Sequence, residues 1–225
     1  MVTPPDLDAI SNQILAIAAL GTAAFGLVDA TKVFRGGISN VGFGHVVRAL
    51  TPFAPALERA VGAEDGGWKG LLRAHWINGR AKAEQKAIAV SLIQLGLTEE
   101  TARTVAEAGQ VDPDGLVRTV KALIAGDDLS STQINLFSRF KTAVEARMDA
   151  AYERAEQSYR NAARFVAGLF AVALAVVAAR LFYPETRVIS AALVGLIAVP
   201  LAPIAKDLVS TLSAAAKAIG SRVAP

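Results

Sequence analysis

Residues 136–182 read LFSRFKTAVEARMDAAYERAEQSYRNAARFVAGLFAVALAVVAARLF, with no proline and one glycine, Gly168. The first half is charged and the second is apolar, yet no residue between them breaks a helix. The stretch predicts one long helix that starts in water and ends inside a bilayer. From Val144 a stripe recurs in alternating steps of four and three: Val144, Met148, Ala151, Ala155, Ser158, Ala162, then Phe165, Leu169, Val172 and Val176. Such a stripe is the seam of a helix packed on another helix. Before Ala162 the pattern is informative, because Glu145, Arg147, Asp149, Glu153, Arg154, Glu156 and Arg160 surround it. Its small residues predict a close approach, either within the chain or between copies.

The charges on this helix carry a second message. Glu156 precedes Arg160 by four residues, the favourable order, whereas Glu145, Asp149 and Glu153 repel one another at the same spacing. The acidic row is either a solvated face or the partner of Lys and Arg from elsewhere in the chain or another subunit.

Composition points the same way as the helix. The 225 residues are 53% hydrophobic and 19% charged, with a mean hydropathy of +0.40, whereas a soluble domain carries about 25% charge. The net charge of +3 comes from scattered basic residues with no aromatic-plus-basic platform, which argues against nucleic acid as a partner. The absence of cysteine removes disulfides, thiolate metal sites and a Cys nucleophile. His45 and His75 lie far apart, and no metal-ligand spacing surrounds them. No catalytic residue, cofactor-binding residue or metal ligand is assigned, and no enzyme or cofactor is expected.

Ahead of the long helix, residues 10–34 form an apolar segment that begins after an acidic start and continues into Asp29, Lys32 and Arg35. A secretory signal has a basic start and a shorter core, so this segment reads as a first membrane helix. Gly21, Thr22, Ala23, Ala24 and Gly26 give it a small-residue surface for another helix. Asp29 and Lys32 pair along it at the membrane boundary.

Residues 36–131 read as a water-facing helical domain. The GAEDGGWKG run at 62–70 lacks the Lys and hydroxyl placement of a phosphate loop. A helix over 44–61 should bend near Pro52 and Pro55, and residues 68–95 should break near Asn78 and Gly79. Thr98 caps a helix that opens with Glu99 and Glu100; Asp112 and Pro113 start another that Gly126 closes. Ser130 or Ser131 caps the long helix. Around His75, the run RAHWINGR either touches lipid headgroups or a partner, or packs Trp76 on the bundle.

Tyr183 to Arg187 forms a turn, so residues 165–182 and 188–204 make an antiparallel hairpin near the lower length limit for spanning a bilayer. Pro200 and Pro203 should kink or end the last span. Residues 204–219 place Leu208, Leu212, Ala215 and Ile219 on one face and Lys206, Ser210, Ser213 and Lys217 on another, an amphipathic surface helix. Lys32, Arg35, Arg48, Arg154, Arg160, Arg164, Lys206, Lys217 and Arg222 fall on one side of these spans; Arg180 and Arg187 fall on the other. The positive-inside rule puts the amino terminus outside and the central domain and carboxy terminus in the cytoplasm. No ionisable residue lies at the centre of a span, which argues against a pump or secondary transporter.

The run ARMDAAYERAEQSYRNAARF entering the hairpin, with PLAPIAKDLVSTL after it, resembles a family of uncharacterised bacterial integral-membrane proteins. The resemblance covers residues 140–212, rests on Met148-Asp149 and Tyr159-Arg160, and implies a multi-pass bacterial inner-membrane location without any chemistry.

The fold expected is thus all-α and integral to the membrane, with about three transmembrane helices, a cytoplasmic helical bundle and one long helix running from cytoplasm into membrane. Its parts are residues 1–35 (first span), 36–131 (helical domain), 132–204 (long helix and hairpin) and 205–225 (carboxy-terminal helix). Two functions fit. One is an oligomeric scaffold or interaction protein using the bilayer, further copies of itself and a cytoplasmic protein as partners. The other is a homo-oligomeric channel with Arg180 and Arg187 biasing its outer mouth toward anions.

Overall fold

A computed structural model describes residues 7–34, 36–63, 66–205, 207–211 and 214. Among these the protein is all-helical, with 84% helix and no strand. The helices are α1 (Leu7–Ala30), α2 (Phe43–Leu50), α3 (Ala54–Val61), α4 (Gly67–Ile77), α5 (Lys82–Leu95), α6 (Glu99–Ala106), α7 (Pro113–Ala125), α8 (Ser131–Phe182) and α9 (Val188–Leu201). The amphipathic segment expected beyond Ile204 falls largely outside the described residues, as do Arg35, Lys206, Lys217 and Arg222 of the charge tally.

The stops and starts follow local chemistry. Asp112 Oδ2 accepts from the Gly115 amide at 2.6 Å, Pro113 opens α7, and Gly126 ends it at φ 77°. Thr98 makes a capping box with Thr101, whose hydroxyl accepts from the Thr98 amide at 2.8 Å. Ser130 caps α8, with Gln133 Oε1 accepting from its amide at 2.9 Å. The first helix turns α-helical earlier than its hydropathy suggests and tightens into a 3-10 turn over Thr31–Val33. There the Thr31 hydroxyl donates to the Val28 carbonyl at 2.6 Å and accepts from the Ile38 amide at 3.3 Å.

The chain forms two compact units, Met1–Ile38 with Arg160–Pro225, and Ser39–Tyr159. The division falls inside α8 rather than at its start. Residues 131–159 of the long helix supply core side chains to the second unit and so belong with it.

The unit over 39–159 is built like a water-soluble bundle. Trp68, Tyr152, Phe53, Phe140, Leu50, Leu57 and Leu72 are fully buried, each contributing roughly 1.5–3 kcal/mol relative to exposure. Phe53 meets Phe140 edge-on at 6.2 Å, and Trp76 lies tilted on Tyr152 at 6.1 Å. The Tyr152 hydroxyl donates to Gln85 Oε1 at 3.1 Å, and the Gln85 amide donates to the Arg80 carbonyl at 2.7 Å. Burial pushes the Tyr152 phenol well above the ordinary tyrosine range.

The other unit is arranged the opposite way. Its interior is methyl-sized: Ala24, Ala167, Ala171 and Ala198, with Val28 and Val199. Many of its large apolar side chains point outward, with Phe165 69% exposed, Leu169 56%, Leu193 54% and Ile189 74%, while Ile17, Leu20, Phe25 and Phe170 are partly buried against the alanines. Backbones touch where glycine allows it. A Cβ at Gly21 would collide with the Ala198 carbonyl, and one at Gly195 would stand 2.5 Å from Val172 Cα. Two helices here, over residues 9–33 and within α8, are long and apolar enough to cross a membrane, and only 22% and 17% of their apolar windows are buried. The apolar helix α9 is shorter, at 14 residues.

Candidate functional site

The first half of α8 sorts its charges by face. On one face Asp149 meets Lys86 at 2.7 Å, while Lys82 bridges Glu153 at 2.8 Å and Glu156 at 2.9 Å. Glu145 lies 3.9 Å from Lys141, one turn earlier. The acidic row thus finds its lysines within the chain, on α5 and on α8 itself. Hydrogen bonds from Lys82 to Glu153 and Glu156 raise its pKa above the ordinary lysine value.

On a different face, Arg147 and Arg154 stand two turns apart and look toward α2. From α2, His45 and Arg48 complete a cleft of about 200 Å³ whose floor is Ala49, Ala150 and Ala151. Its placement has a local cause. Gly42 starts α2 at φ 99°, and a Cβ there would strike the Ala155 carbonyl. Only glycine supplies both the conformation and the clearance, so α2 begins directly on the backbone of α8. His45 Nε2 is then 3.1 Å from Ser158 Oγ, and the Arg147 guanidinium sits 5.9 Å from the Phe53 ring centre. Among the described residues, none of Arg48, Arg147 and Arg154 forms an ion pair with a carboxylate. A wider groove of about 720 Å³ beside Gln110, Asn135 and Ser138 has one cation, Arg139. The smaller cleft concentrates far more charge.

Of the seam residues, Val144, Met148, Ala151 and Ala155 are buried within the unit over 39–159, Ser158 is half-buried against His45, and Ala162 is half-buried in the other unit. Trp76 packs beside the core and donates to the Ser39 carbonyl at 2.5 Å, while Arg73 donates twice to Asn40 Oδ1. Within RAHWINGR, then, Trp76 packs on the bundle. Arg180 and Arg187 are exposed on either side of the Tyr183–Glu185 turn.

Sequence reasoning missed Phe140 and Tyr152 as core residues and the basic cleft as a site. The heptad spacing of Arg147 and Arg154 was a usable signal for half of the cleft. Nothing local brings Arg48 to them. No protein-family profile, curated protein or solved structure matches the chain.

Proposed function

We propose that the protein is a multi-pass membrane scaffold or interaction protein. In this reading α1, the apolar half of α8, and α9 extended by the residues after it span the bilayer. The bundle over 39–159 then lies in the cytoplasm of a bacterial inner membrane as the module that meets a partner. One observation carries the reading: one unit buries Ala and Gly and exposes Phe, Leu and Ile, while the other buries Trp, Tyr and Phe. In water an exposed apolar surface of that kind is a liability. In lipid, small residues between helices and large ones facing acyl chains are the ordinary solution. The methyl groups of Ala24, Ala167, Ala171 and Ala198 fill the space between the helices, which favours a packing role over a conduction path within one chain.

Flux separates this reading from the channel. Intact protein in liposomes is expected to pass no more chloride or potassium than empty vesicles. An anion-preferring flux that falls when Arg180→Glu and Arg187→Glu are combined would replace the scaffold with a channel.

A further inference from the structure

We propose that the cleft between α2 and α8 binds a phosphate-bearing anion through Arg48, Arg147 and Arg154. The cleft lies wholly within the unit over 39–159, so the inference stands apart from the membrane reading.

Charge is the first argument. Three guanidiniums line one cleft without a carboxylate among the described residues, although α8 is rich in acids. Those acids are engaged elsewhere: Asp149 with Lys86, and Glu153 and Glu156 with Lys82. Two arginines of the same unit outside the cleft do reach carboxylates, Arg103 at 2.6 Å from Asp114 and Arg118 at 3.7 Å from Asp112. The like charges of the cleft repel one another, and an anion between them removes that repulsion.

Shape is the second. Alanine methyls at 49, 150 and 151 keep the floor low and leave about 200 Å³ between the arginine walls. Sites for drug-sized ligands run to roughly 300–1,000 Å³, so this one suits a single phosphate group. Guanidinium forks match phosphate oxygens in pairs, which a lysine cluster does not.

Rigidity is the third. Gly42 seats α2 on the Ala155 backbone, Ser158 holds His45, and the Phe53 ring supports Arg147. The two helices and Arg147 are therefore in place before any ligand arrives, while the exposed side chains of Arg48 and Arg154 are ordered on binding. The phosphate could belong to an acidic phospholipid headgroup or to free phosphate, and the same residues would serve either.

Calorimetric titration of the full-length protein in a neutral detergent decides the matter. Inorganic phosphate is one probe, and dihexanoyl-phosphatidylglycerol below its micellar concentration is the other. One-site, salt-sensitive binding of at least one probe is expected. Arg147→Gln/Arg154→Gln should weaken it about tenfold or more, while Arg118→Gln/Arg139→Gln, the same charge change elsewhere in the unit, should not. Because Arg147 also rests on Phe53, the exposed pair Arg48→Gln/Arg154→Gln is measured too and should show the same loss. Saturation by phosphate assigns a soluble ligand; saturation by the lipid alone assigns a headgroup. No saturable binding of either probe, or equal losses in the cleft and control variants, would overturn the proposal.

Discussion

Gly42 lies so close to Ala155 that a single added methyl at residue 42 would strike the Ala155 carbonyl oxygen. This contact joins the start of α2 to the long helix and sets the cleft beside it. Gly42→Ala meets both the carbonyl and a φ of 99°, and should destabilise the bundle by about 2–4 kcal/mol. Two residues on, Gly44 is helical with nothing within 4 Å of its would-be Cβ. Gly44→Ala should instead stabilise by up to about 1 kcal/mol. Thermal melts of the two variants should move in opposite directions, and a shared direction would refute the contact.

The same contrast exists in α1. Gly21 presses on Ala198, whereas Gly26 has open space around it. Gly21→Ala should cost about 1–3 kcal/mol by overpacking, read as earlier unfolding in a detergent titration. Gly26→Ala, helical and unobstructed like Gly44→Ala, should hold or raise the midpoint. If both variants behave alike, α1 does not pack on α9 through Gly21.

Lys82 gives a pH signature. Its ammonium bridges Glu153 and Glu156, and these contacts raise its pKa above the ordinary 10.5. A raised pKa means that the protonated bridge adds stability at neutral pH and loses it as pH climbs through the folded value. Because Lys82 is partly exposed, the contribution is about 0.5–1 kcal/mol. The stability gap between the native chain and Lys82→Met should hold from neutral pH to about pH 10 and close above it. A gap that persists in strong alkali would belong to the lysine stem rather than its charge.

Much of this fold could be read without coordinates, because its signals are local. Asp112, Pro113 and Gly126 bound α7 by their own backbone chemistry, and the breaker-free run from Ser131 allows nothing but α8. The core was only partly legible. The heptad seam marked Val144, Met148 and Ala155, but a half-buried helix hides a wider stripe, which took in Phe140 and Tyr152. The cleft was illegible for a different reason. His45 and Arg48 reach Arg147 and Arg154 only through tertiary packing across about a hundred residues of chain, and no period in the sequence encodes that approach.

In the proposed membrane reading, the basic residues flanking the apolar segments set the orientation. Single cysteines in this cysteine-free chain at Glu185 and Asp127, both exposed, should differ toward an impermeant thiol reagent on intact cells. Glu185→Cys is expected to label and Asp127→Cys to stay protected until the cells are opened. The reverse pattern would invert the topology.

In the proposed function, the outward Leu, Ile and Phe side chains of the alanine-cored unit face lipid. Spin labels on Leu169→Cys and Leu193→Cys, both exposed, report this directly in reconstituted bilayers when oxygen and a water-soluble nickel chelate compete as relaxation agents. High oxygen and low nickel accessibility are expected at both positions, and the opposite at Arg139→Cys on the other unit. Nickel accessibility at 169 and 193 equal to that at 139 would place those side chains in water and overturn the membrane reading.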